Sequence, residues 1–120
     1  MRKGAAMKEF IKVMKALRDL NRVKIVKMLQ HGELCVCEIQ EVLGTSQSTV
    51  SKHLHIMEEA GLLNFRKEGL WVYYRLNDGS SSPYVATLLG NLKHWMENNP
   101  EIRETVKRLP DIRRANLCRT

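Results

Sequence analysis

The chain has 120 residues, 43% of them hydrophobic, which suits one domain with a modest core and excludes a disordered chain. A formal net charge of +7, from 20 Lys and Arg against 13 Asp and Glu, favours a polyanionic partner. No apolar run approaches the roughly 20 residues of a membrane-spanning helix, and the first residues do not have the pattern of a secretory signal. Three cysteines do not make a disulfide framework, so we expect reduced thiols in a cytoplasmic protein.

The first part of the chain has the apolar spacing of two helices. From Met7 to Leu20, apolar residues recur at intervals of three and four, which predicts an amphipathic helix. Asn21 is a candidate N-cap for a second helix, and Gly32 is its expected stop.

The next segment predicts a helix-turn-helix. A third helix is expected from Cys35 to Leu43, because Cys35 and Glu38 have the spacing of a capping box. Gly44 would end it, and Thr45 or Ser46 would cap a fourth helix that reaches residue 60. Two short helices joined by such a turn are typical of DNA-binding proteins.

The fourth helix has one polar face that suits the major groove of DNA. This face lies opposite the apolar stripe of Val50, Leu54 and Met57. Small polar side chains and an amide at the start of a recognition helix can approach base edges and phosphates; a solvated helix face is the alternative. The candidate DNA contacts are Ser46, Gln47, Ser48, Ser51, Lys52 and His55. His53 lies nearer the core side, and we expect it to be a structural, hydrogen-bonded histidine.

A β-hairpin is predicted after residue 61. Residues 62–66 and 71–76 are rich in aromatic and apolar residues, and residues 67–70 between them supply a turn. Arg66 and Lys67 at the tip would contact phosphates or the minor groove, as a wing does, or would simply be a charged turn.

The last third of the chain is expected to be helical. Pro83 would begin a helix that carries Leu88, Leu92 and Trp95, and Pro100 would begin a short last helix that ends at Pro110, before a basic tail. The predicted fold is mainly α with a β-hairpin wing: one winged helix-turn-helix domain over residues 1–120, with the helix-turn-helix at about 35–60, the wing at about 62–76, C-terminal helices at about 82–109 and a flexible tail at 110–120.

The terminal helices are the candidates for a homodimer interface, because they have more apolar surface than one small core obviously needs. A single recognition helix covers few base pairs, so specific binding predicts a homodimer on a double-stranded operator with inverted-repeat half-sites.

Cys35 and Cys37 predict a thiol site at the start of the third helix. A cysteine is often a small buried apolar residue, but a helix N-terminus favours the thiolate, which is the form that binds soft metals. In a regular helix, residues i and i+2 point about 200° apart, so chelation by this pair would require the first turn to distort. A third sulfur would come from Cys118, from the partner subunit or from a small thiol. His94 and Glu97 are interpreted as surface residues.

Three stretches resemble the ArsR/SmtB family of metal-responsive repressors: Glu33–Glu38, Ser46–Leu54 and Gly61–Leu76. The resemblance spans roughly residues 8–97. It implies a homodimeric winged-helix repressor that leaves its operator when a metalloid or metal binds.

The family's arsenic sensors have a third cysteine where this chain has Gln40. Cadmium and lead sensors recruit N-terminal cysteines, and none precedes Cys35 here. Zinc and nickel sensors use Asp and His pairs that are missing around Ser81–Pro83. The resemblance therefore favours trivalent arsenic or antimony as the inducer, with cadmium or lead as the alternative.

Two further interpretations remain open on this sequence. One is a thiol redox switch on the same scaffold, although a disulfide between residues this close would be strained. The other is a thiol oxidoreductase, which would need a CxxC motif or a base beside the nucleophile. Neither feature is found, so we do not expect an enzyme or a catalytic cofactor.

Overall fold

The computed structural model describes residues 3–117, with side chains from residue 4 onward. Within this range the chain forms seven α-helices and three strands. They are α1 (Lys3–Leu17), α2 (Leu20–Leu29), β1 (Leu34–Cys35), α3 (Val36–Leu43), α4 (Gln47–Glu59), β2 (Leu63–Glu68), β3 (Trp71–Leu76), α5 (Pro83–Leu92), α6 (Pro100–Lys107) and α7 (Leu109–Ala115). This is a winged helix-turn-helix with additional helices at both ends, so the predicted fold class is confirmed. None of the described helices is long and apolar enough to span a bilayer.

One apolar core holds the helix-turn-helix against the other elements. It takes at least one fully or nearly fully buried side chain from each of α1 to α5, from β1 and β2, and from α7. These residues include Val13, Ile25, Met28, Leu34, Ile39, Val50, Leu54, Met57, Leu63, Leu89 and Leu109. The α4 stripe predicted from the sequence is therefore the face that packs inward, which leaves the opposite face for a partner.

The boundary between the first two helices differs from the prediction. The first helix ends at Leu17 rather than Leu20, and Asp19 is the N-cap of α2 in place of Asn21. The Asp19 carboxylate accepts hydrogen bonds from the backbone N–H groups of Asn21 at 2.8 Å and Arg22 at 3.2 Å. The carboxylate at this N-cap satisfies two otherwise unpaired donors, so the helix starts two residues earlier than predicted from Asn21.

The wing contains a strand that the sequence did not reveal. The sheet order is β1-β3-β2, and all pairs are antiparallel. The two-residue strand β1 pairs Leu34 with Tyr74 and Cys35 with Tyr73. The segment that carries the first thiol is therefore joined directly to the wing.

The C-terminal region also differs from the prediction. Helix α5 ends at Leu92, whose side chain is buried in the core, so Trp95 lies beyond the helix. Pro110 does not end the last helix but stands in the first turn of α7, where its fixed φ and missing N–H are suited. Residues 110–115 of the predicted flexible tail are thus helical. Arg108 holds this region on α3 by donating to the carbonyl groups of Val42 at 2.5 Å and Glu41 at 3.2 Å.

Candidate DNA-binding face and thiol site

A sharp turn between α3 and α4 sets the position of the recognition helix. Gly44 adopts φ 69°, in the left-handed region that glycine tolerates best, and ends α3. Ser46 is the N-cap of α4, and its hydroxyl accepts from the backbone N–H of Thr49 at 3.2 Å. The sequence predicted both residues, Gly44 as the end of the third helix and Ser46 as one of two candidate N-caps of the fourth.

The structure brings the predicted DNA contacts of α4 together on one exposed face. Every one of the six side chains is exposed: Ser46, Gln47, Ser48, Ser51, Lys52 and His55. The face begins at the N-terminus of α4, where backbone N–H groups point outward and favour an anion such as phosphate. Its geometry suits a major groove, while the contacts themselves stay a prediction.

His53 is a structural histidine, as predicted. Its side chain is buried, and its Nδ1 lies 3.1 Å from Nη1 of Arg22. Arg22 also donates to the carbonyl groups of Lys15 and Ala16 at the end of α1. Sequence reasoning missed Arg22, which ties the end of α1 to the recognition helix. An arginine in the first turn of α2, close to the unpaired carbonyl groups at the end of α1, is the signal that could have found it.

The two basic wing residues are not at the tip. Strand β2 continues to Glu68, which pairs with Trp71, so Arg66 and Lys67 lie within the strand. The turn consists of Gly69, with φ 61°, and Leu70, which is 93% exposed. The sequence pattern placed the turn too early, because glycine at the first position of a two-residue hairpin turn lets both strands run longer.

Lys67 and Arg66 have different surroundings. Lys67 is exposed and suited to a phosphate. The Arg66 guanidinium donates from Nη2 to Glu33 at 2.7 Å and from Nη1 to Glu68 at 2.8 Å. These two carboxylates raise the pKa of Arg66 above its ordinary range, with the Glu33 hydrogen bond as the largest cause. The positive charge expected to face DNA is thus paired within the protein.

The two cysteines of α3 have different backbone conformations. Cys35 ends β1 and is the N-cap of α3, with an extended backbone (φ −84°, ψ 163°) and a side chain that is only 1% exposed. Its N–H donates to the Glu38 carboxylate at 2.9 Å, as the predicted capping box requires. Cys37 lies in the first turn of the helix and is half-buried. The expectation that both residues sit in the helix, 200° apart, was therefore wrong.

Both cysteines line one cavity of about 320 Å³ between α3, α4 and the wing. Its lining residues are Cys35, Val36, Cys37, Gln47, Ser51, Leu70, Trp71, Val72 and Tyr74. Burial, and secondarily the charge of Glu58, raises the pKa of Tyr74, so its phenol stays neutral at physiological pH. Sequence reasoning missed this cavity because it exists only when β1 pairs with β3.

The described residues supply two cysteines, Cys35 and Cys37, to this cavity and no complete metal site. Between residues 3 and 117, no group of three His, Cys, Asp or Glu side chains is arranged to hold an ion. Cys118, the predicted third sulfur, lies outside the described residues.

An apolar surface on α1 adjoins α5. Phe10 of α1 meets Tyr84 of α5 edge-to-face, with ring centroids 5.4 Å apart. Four side chains of α1 remain 38–62% exposed: Met7, Phe10, Ile11 and Met14. Of the predicted interface residues on α5, Leu88 is half-buried and Leu92 belongs to the core, while Trp95, beyond the helix, is 49% exposed.

Comparison with known proteins identifies the family. Residues 19–64 match the family described as bacterial regulatory protein, arsR family. The arsenical resistance operon repressor of Escherichia coli is 36% identical over 102 residues, which are 82% of this chain and 83% of that protein. The chain belongs to the arsR family. A cadmium resistance transcriptional regulatory protein CadC homolog of Staphylococcus aureus is 47% identical over 68 residues, which span 56% of each chain.

A solved structure of a similar protein agrees with the fold. The homodimeric winged helix-turn-helix DNA-binding domain of a possible ArsR-family regulator from Mycobacterium bovis has a TM-score of 0.65 and 32% identity, over 77% of this chain and 82% of that one. This member of the arsR family is accordingly a winged helix-turn-helix, DNA-binding transcription regulator. Family members of this kind are not enzymes.

Proposed function

We propose that this arsR-family protein is a repressor that binds an inverted-repeat operator as a homodimer and dissociates when trivalent arsenic or antimony binds Cys35 and Cys37. The observation that carries the proposal is the shared cavity of about 320 Å³, which is lined by both cysteines and by the recognition-helix residues Gln47 and Ser51. A ligand bound in this cavity would act directly on α4, because residues of α4 line the same cavity.

The chemistry of the donor set favours a soft ion with few ligands. Two thiolates do not complete the four-coordinate site that zinc prefers, whereas soft ions bind thiolates strongly. Bonding to both sulfurs would draw the extended Cys35 and the helical Cys37 together, and the first turn of α3 would move against α4. The start of the recognition helix would then shift relative to the wing.

Cys118 is the proposed third sulfur. The position of α7 supports this, because Arg113 of α7 donates to the carbonyl of His31 at 3.2 Å, in the turn just before the strand that carries Cys35. The last described helix is therefore anchored beside the segment that carries Cys35. A soluble thiol would replace this sulfur when Cys118 is lost.

The homodimer would form through α1 and α5. Its support is the exposed apolar face of α1 together with the homodimeric state of the M. bovis relative. A two-fold dimer presents two recognition helices to half-sites spaced by about 10 base pairs or a multiple of that, which is why an inverted repeat is expected.

The test is a titration of trivalent arsenic into the complex with labelled operator, in reducing buffer, followed by fluorescence anisotropy. We expect release at micromolar arsenic for the wild type and no release with zinc. Cys37→Ser should bind operator normally and stay bound. Release of Cys37→Ser at wild-type arsenic concentration would show that the sensory site lies elsewhere.

Cadmium is the second candidate inducer, because of the cadmium regulator that is 47% identical over 68 residues. Cadmium takes more sulfur ligands than arsenic, so it would depend more strongly on a third or fourth thiol. The same titration with cadmium decides between them: release by cadmium at lower concentration than arsenic would assign the protein as a cadmium sensor.

A further inference from the structure

Arg66 is held in a network of described residues that links the wing to the thiol segment. Its guanidinium makes a two-pronged contact with the Glu33 carboxylate, from Nε at 3.0 Å and from Nη2 at 2.7 Å. It also donates to Glu68 and lies over the Tyr73 ring, 4.6 Å from the centroid. We call these four residues the Arg66 clamp.

The clamp and the first thiol lie in one row across the sheet. In the register of the three strands, Cys35 pairs with Tyr73, and Tyr73 pairs with Arg66 on its other side. Directly paired residues project from the same face of a sheet, and Cys35 packs against Tyr73. A displacement of Cys35 is therefore transmitted through one aromatic ring to the Arg66 guanidinium.

Glu33 connects the Arg66 clamp to the segment that carries Cys35. It directly precedes β1, so the same short segment carries both the carboxylate that holds Arg66 and the thiol that packs on Tyr73. A planar guanidinium held by two carboxylates and a ring has one preferred geometry, which a lysine would not reproduce. The segment and the wing must consequently move together.

We propose that Arg66 is a positioning residue that couples the thiol-bearing strand to the wing, and not a contact to DNA. The proposal rests in part on the proposed function, because the coupling would transmit the displacement caused by a bound inducer from β1 to the wing. The coupling itself does not require an inducer. Because thermodynamic coupling between two sites is reciprocal, operator binding at the wing must alter the conformation of β1.

The central variant is the double substitution Glu33→Gln with Arg66→Gln. It removes the clamp but keeps the net charge, so long-range attraction to DNA is unchanged. Both side chains are partly exposed, at 27% and 42%, so the fold should persist, as circular dichroism would verify. Lys67→Gln is the matched control, because Lys67 neighbours Arg66 on the same strand and is exposed.

Three measurements decide the proposal. The double variant should keep the wild-type salt dependence of operator binding, while Lys67→Gln should lower the slope of log K against log salt by about one. Hydrogen exchange of the Leu34–Glu38 segment should respond to operator in the wild type and in Lys67→Gln, and clearly less in the double variant, in which only the direct contact of this segment with α4 remains. The ratio of the operator affinity without arsenic to the operator affinity with arsenic should be at least fivefold smaller in the double variant than in the wild type. Lys67→Gln should leave this ratio unchanged.

A salt slope lowered by about one in the double variant would make Arg66 a DNA contact and overturn the proposal. So would an operator response of the Leu34–Glu38 segment that the double substitution does not diminish. If the wild type is released by none of the thiophilic ions, the proposed inducer is wrong. The salt slope and the hydrogen exchange still decide the role of Arg66 in that case.

Discussion

Cys37 in the first turn of α3 and Gln47 in the first turn of α4 line the same cavity. One is a candidate ligand for the inducer and the other a candidate reader of DNA. The two candidate sites are thus adjacent in space, so a displacement of the Cys37 side chain would act directly on the start of the recognition helix.

The first prediction concerns the order of importance among the thiols. Cys118→Ser should retain DNA release but need more arsenic, since a soluble thiol can complete a site already held by two sulfurs. Cys37→Ser should lose release altogether, because one thiolate cannot draw α3 toward the wing. Anisotropy titrations of both variants with operator, at a fixed thiol concentration, provide the comparison. Complete loss in Cys118→Ser with a normal response in Cys37→Ser would move the sensory site to the C-terminal end.

The second prediction concerns base reading. Gln47→Ala and Ser48→Ala should each cost about 1–3 kcal/mol on the cognate operator if their side chains touch base edges. Both are exposed at the start of α4, so neither substitution should change the free energy of unfolding by much. Binding to operator and to random duplex of equal length should be compared. Equal losses on the two duplexes would mean that these residues only position the helix.

The third prediction follows from a buried lysine. Nζ of Lys27 donates to the Glu97 carboxylate at 2.8 Å and to the carbonyl of Leu92, so it joins α2 to the end of α5. The hydrogen bond and the charge of Lys27 lower the pKa of Glu97. A lowered carboxyl pKa contributes stability above its ordinary value near 4.3, and this contribution disappears as the pH falls through the native-state pKa.

Urea unfolding at pH 7 and at pH 3 tests this linkage. Glu97→Gln should be less stable than the wild type at pH 7, and the difference should shrink at pH 3. Glu104→Gln, which replaces an exposed carboxylate lining the same surface cavity as Lys27 and Glu97, is the control and should change stability little at either pH. Lys27→Ala should cost about 2–4 kcal/mol at pH 7, because it leaves a cavity and an unpaired carbonyl. A pH-independent difference for Glu97→Gln would contradict the ion pair.

The fourth prediction concerns the dimer. Ile11 is 41% exposed on the apolar face of α1, and Ile11→Glu would place a charge in the proposed interface. We expect a shift toward monomer in sedimentation velocity, with a proportional loss of operator affinity. Lys12→Glu, on the next residue and also exposed, should leave the association state unchanged. A fully dimeric Ile11→Glu would exclude this face of α1.

Local signals determined several features correctly from the sequence. Ser46, Gly44 and the capping-box pair Cys35 and Glu38 act through atoms within a few residues of one another. The inward stripe of α4 and the buried position of His53 follow from helical periodicity alone. These features need no partner from a distant part of the chain, and for that reason a pattern in the sequence suffices to predict them.

Only the tertiary structure decided the surroundings of the thiols and of Arg66. Strand β1 has two residues, too few for any periodicity, and it exists because β3 offers it a hydrogen-bonding edge. Glu33 pairs with Arg66 across the sheet, and Lys27 of α2 pairs with Glu97, 70 residues later in the chain. Such pairs join segments that are remote in sequence. Their geometry is set by how the elements pack, so charge and composition alone could not predict that Arg66 is paired with Glu33 and Glu68.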